Sequence, residues 1–99
     1  MALLRAAGGG NVEVVKLLLQ KGINIEARDV NDETALHWAA RNGRTEVVRL
    51  LLKKRANVEA KNRFGYTPLL VAAEEGKSDV VKLQGRQARR PEETGWYQG

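Results

Sequence analysis

The chain repeats itself at a spacing of 33 residues, and no other feature restricts its fold so severely. Ala6-Ala7 returns as Ala39-Ala40 and Ala72-Ala73, Gly10 as Gly43 and Gly76, and Val14-Val15 as Val47-Val48 and Val80-Val81. Between these anchors Lys16, Arg49 and Lys82 align, as do Leu17, Leu50 and Leu83. A period of this length marks stacked supersecondary units, each too small to bury its apolar face alone. A chain of 99 residues therefore reads as a short array of such units.

Each unit predicts two short helices and an extended loop. Thr34 and Thr67 stand where an N-cap is wanted, because a hydroxyl there accepts from a free backbone N–H in the first helical turn. Pro68 falls at the first helical position, where its missing N–H costs nothing. The helix runs through the Ala pair and stops at Gly43 or Gly76, residues that tolerate a tight turn. A second helix is expected from Thr45 to Lys54, with Val47, Val48, Leu50, Leu51 and Leu52 apolar and Glu46, Arg49, Lys53 and Lys54 wet. Gly22 suits the left-handed position that closes such a helix, whereas Arg55 takes that place in the middle unit at a cost of about 1 kcal/mol.

Together, "TALHWAARNG", "TPLLVAAEEG", "EVVKLLLQKG", "EVVRLLLKKR", "INIEARD" and "ANVEAKN" resemble the ankyrin-repeat family over roughly Leu3 to Leu83. The resemblance implies an all-α solenoid of stacked helix-turn-helix units with projecting β-hairpin-like loops, and a role in binding other proteins as a scaffold or adaptor. It also implies that His37 hydrogen-bonds backbone and the capping Thr34. Three residues depart from the family pattern: Ala35 replaces Pro, Asp32 replaces a turn Gly, and Leu70 replaces His. The expected segmentation is a partial first repeat at 1–28, a second repeat at 29–61, a truncated third repeat at 62–83 and a disordered tail at 84–99. The outer helix of the third unit is expected to fray after Leu83, where Gln84 and Gly85 break the pattern.

Chemistry is largely excluded by composition. No Cys is present, which removes disulfides, thiolate metal sites and Cys nucleophiles. The single His makes neither an ordinary metal site nor a triad. Gly8-Gly9-Gly10 lacks the Lys-Ser/Thr of a phosphate loop and aligns with helix–helix turns. No catalytic residue, cofactor or metal is expected, and no run reaches membrane-spanning length. An intracellular setting, cytoplasmic or nuclear, is the expectation.

The resemblance places Val30, Asn31, Glu33, Arg41 and Asn42, with Arg63, Phe64, Tyr66, Glu74 and Glu75, along the concave, partner-facing side. Phe64 and Tyr66 flank Gly65 at a loop tip, where an aromatic reads as a contact residue. Trp38 either packs on the neighbouring unit or serves as an exposed anchor. Net charge is +5, and Lys53-Lys54-Arg55 with Lys61 and Arg63 form a basic cluster. That cluster is either a solvated helix end or a contact for nucleic acid or anionic lipid. Both end units keep interior-like apolar residues, so the sequence predicts a marginally stable piece of a longer array that gains order from a partner or by weak self-association.

Overall fold

The computed structural model describes residues 1–88, with side-chain surroundings over residues 1–83. Six helices follow one another: α1 (Ala2–Gly9), α2 (Val12–Gln20), α3 (Ala35–Arg41), α4 (Thr45–Lys53), α5 (Pro68–Glu74) and α6 (Ser78–Ala88). No strand occurs among the described residues. The helices pair as α1–α2, α3–α4 and α5–α6. The first members of the pairs pack side by side in one row, with α3 between α1 and α5, and α4 lies between α2 and α6 in a second row. This is the all-α stack of helical hairpins that the 33-residue spacing predicts.

The turn inside each hairpin is built the same way three times. Gly43 donates its N–H to the Ala40 carbonyl at 3.2 Å and Arg44 donates to the Ala39 carbonyl at 2.9 Å. Gly10 and Asn11 close α1 with the equivalent bonds, and Gly76 and Lys77 close α5. The paired bonds satisfy carbonyls that a helix end would leave open, and they need a residue at positive φ. Gly10, Gly43 and Gly76 supply it at 77°, 68° and 71°. At the other end Thr34 accepts from the His37 N–H, Thr67 accepts from the Leu70 N–H, and Pro68 occupies the first turn.

Burial follows the repeat. Leu3, Leu4, Leu36, Val15, Val47, Val48, Leu51 and Val80 form the core together with Ala7, Ala39, Ala40 and Ala72. The alanines let neighbouring helices approach closely, while each buried Leu or Val contributes about 1.5–3 kcal/mol. Gly8 serves the same end on α1, since a Cβ there would lie 2.9 Å from the Trp38 ring.

One boundary differs from expectation. Helix α6 does not fray after Leu83 but continues to Ala88. Gln84, Arg86, Gln87 and Ala88 are good helix formers, and a single Gly85 costs only about 1 kcal/mol. Of the tail expected from residue 84, helix α6 takes in 84–88, and 89–99 lies outside the described residues.

Candidate functional site

The two loops that join successive hairpins are organised by one residue each. Asp29 Oδ1 accepts from the N–H groups of Asn31 and Glu33, both at 2.9 Å. One repeat later Asn62 Oδ1 accepts from Phe64 at 2.9 Å and Tyr66 at 3.0 Å. A hairpin-like bond closes each loop, from Asp29 N–H to the Glu33 carbonyl and from Asn62 N–H to the Tyr66 carbonyl. The loops are then tied to each other: Arg63 N–H donates to the Asn31 carbonyl at 2.9 Å, and the Arg28 guanidinium donates to the Lys61 and Asp32 carbonyls. Local side-chain bonds of this kind fix loop backbone without regular secondary structure.

Beneath the tips sits a buried polar network. Glu33 is only 6% exposed, and its carboxylate accepts two bonds from the Arg41 guanidinium, the first at 2.6 Å. Asn62 Nδ2 donates to the same carboxylate at 2.9 Å. The bonds from Arg41, and next the one from Asn62, hold the Glu33 carboxyl below its ordinary range against the opposing push of burial, and the pair raises Arg41 in turn. Burial pushes Asp29 upward, but the N–H groups of Glu33, Trp38 and Asn31 prevail and lower it.

His37 is fully buried. Its Nε2 lies 2.8 Å from the Tyr66 carbonyl, which can only accept, so Nε2 carries the proton. Nδ1 is then free to accept from the Thr34 N–H at 3.1 Å, while the Thr34 hydroxyl accepts from the His37 N–H. The result is a neutral ring, and burial holds its pKa below the ordinary value. His37 is thus a strut between units, committed at both nitrogens.

The residues expected to face a partner divide into two groups. Val30, Phe64 and Tyr66 are 88%, 68% and 40% exposed. Arg63, Asn42, Glu74 and Glu75 are exposed as well, and Asn31 is half-buried with its side chain and carbonyl taken up by Arg63. Glu33 requires correction: buried in its bonds to Arg41 and Asn62, it faces the interior of the loop layer and not a partner. Arg41 pairs with it but keeps a partly exposed side chain. Trp38 resolves toward packing, half-buried against Gly8 of the preceding hairpin with its Nε1–H on Asp29 Oδ2 at 3.0 Å. Lys53, Lys54 and Arg55 are exposed at the end of α4.

Asn62, which organises one loop and anchors Glu33 of the other, was not singled out in the sequence. The available signal was its alignment with Asp29, one short polar residue at the same loop position in consecutive units. Leu70 stands where the middle unit has His37, and the consequence is a surface one: 50% of it is exposed at the start of α5. Among the described residues no cluster of His, Asp and Glu could hold a metal ion, and no helix is long and apolar enough to cross a membrane.

A family model described as Ankyrin repeats matches the chain in three copies over residues 3–84. A search of curated proteins returns no match.

Proposed function

Because the chain belongs to the ankyrin-repeat family, whose members are generally protein–protein interaction modules, we propose that it is a non-catalytic scaffold or adaptor that captures a protein through its loop tips and the α3–α5 helix face. The observation that carries this reading is the exposure of Val30, Phe64 and Tyr66 on loops whose backbones are pinned by Asp29, Asn62 and the Arg63–Asn31 bond. Exposed apolar side chains on a fixed backbone lose little conformational freedom on binding, so more of their burial appears as affinity. Arg63 beside Phe64 and the exposed Glu74 and Glu75 would form the polar rim. An intracellular setting, cytoplasmic or nuclear, goes with this reading and rests on the cysteine-free composition.

The test is quantitative affinity capture with the intact chain against the Phe64→Ala, Tyr66→Ala double variant, at two salt concentrations. A specific prey lost from the double variant, with helical circular dichroism unchanged and little dependence on salt, supports the reading. Prey retained at full yield by the double variant overturns it. Recovery of nucleic acid or anionic lipid in place of a protein, with a steep loss in salt that tracks Lys53, Lys54 and Arg55, would favour a polyanion.

A further inference from the structure

A second surface, in the other helix row, has the makings of a separate docking site. Between the C-terminal ends of α2 and α4 lies an open groove of about 480 Å³. Leu19, Ile25 and Leu50 form its floor, half-buried and packed against the core, so the floor is rigid. Ile23, 43% exposed, stands at its edge. Lys16, Lys53 and Lys54 rim it, with Gln20 the remaining polar side chain.

No carboxylate lines this groove. Among the described residues the ion pairs are Arg41–Glu33 and Arg49–Glu46, and neither involves a lysine of the rim. Lysines at helix ends also complement the dipole, but two C-termini contribute only about half a negative charge each, leaving the groove at about +2. Leu52 and Ala56 stand one repeat beyond Leu19 and Ile23, and both are buried.

We propose that this groove docks an acidic amphipathic segment of a protein partner, seating its aliphatic side chains on Leu19, Ile25 and Leu50 and its carboxylates against Lys16, Lys53 and Lys54. The pairing of an apolar floor with an unpaired cationic rim selects this occupant by charge and by shape. Single-stranded nucleic acid would want aromatic platforms, and none lines the groove. A membrane would want cations spread over a flat face, whereas these three surround a recess.

Fluorescence anisotropy on the full chain tests it. The probe is a labelled helical peptide with leucines at i and i+4 and glutamates on either flank. The expected result is saturable binding, weakened about tenfold or more by Lys53→Glu with Lys54→Glu and by Ile23→Gln. Replacing the peptide glutamates with glutamine should weaken it similarly. The Phe64→Ala, Tyr66→Ala variant should bind the probe normally, which separates this site from the loop tips. Circular dichroism on each variant guards against unfolding, and Ile23→Gln changes a side chain outside the buried core. No binding of the peptide, equal binding of poly-glutamate, or preference for phosphatidylserine vesicles or single-stranded RNA over the peptide would each overturn the proposal.

Discussion

His37 and Leu70 hold the same place in consecutive units, one turn inside a Thr-capped helix, yet the first is fully buried and the second half-exposed. Ala40 and Ala73 repeat the contrast, buried in α3 and exposed in α5. The helices themselves are alike: both follow a capping Thr and both close on a Gly at positive φ. What differs is what lies over them. The Tyr66 loop covers α3, and among the described residues no comparable loop covers Leu70. Burial in such an array is therefore conferred by the neighbour and not by the unit's own sequence.

The sharpest way to break that comparison is a truncation made twice. Leu51→Ala, in the enclosed middle unit, is expected to cost about 3 kcal/mol, while Leu18→Ala, its half-buried equivalent in α2, should cost clearly less. Urea denaturation midpoints decide it, and equal losses would mean that position in the stack is irrelevant. Next in size is Glu33→Ala, which leaves Asn62 and Arg41 without their shared acceptor and should cost about 2 kcal/mol. Its counterpart in the third unit is the exposed Tyr66, where truncation should leave stability within about 0.5 kcal/mol.

Replacement of His37 sharpens the same contrast. His37→Leu should cost about 1 kcal/mol by leaving the buried Thr34 N–H without its acceptor, the Tyr66 carbonyl keeping its bond from Asn62, whereas Leu70→His, at a half-exposed site, should be close to neutral. The pH dependence follows from the same groups. Burial holds His37 below its ordinary 6.5, so the unfolded chain takes up the proton first and stability falls as pH drops below 6.5. Glu33, held below 4.5 chiefly by Arg41, contributes stability above 4.5 that is lost as pH falls further through its folded value. His37→Leu should flatten the upper part of the acid limb and Glu33→Gln the lower part, read from denaturation midpoints across that range. The smallest effect is backbone strain. Arg55 sits at φ 66° where the preceding unit has Gly22 at 92°, and Arg55→Gly should stabilise the chain by up to about 1 kcal/mol in the same assay.

The stack was legible because its determinants are local or periodic. Thr34, Thr67, Pro68 and the three turn glycines act within a few residues, and the Ala and Val pairs recur at 33. Glu33 was not legible, since its burial depends on Asn62, 29 residues away, and on the reach of Arg41 from the far end of α3. A tip position that aligns with an exposed Tyr gives no hint of an inward carboxylate. The length of α6 was missed for the opposite reason: the apolar pattern ended at Leu83, but helix propensity did not. The groove beside Ile23 escaped because its parts come from two helices and a loop, none of them remarkable alone.

The bond from the His37 ring to the Tyr66 carbonyl joins an early segment to a later one. Translation proceeds from the N-terminus, so α3 is fully made while its keystone acceptor is still unsynthesised. Until residue 66 is made the imidazole N–H lacks this acceptor, although α3 can already pack on α1.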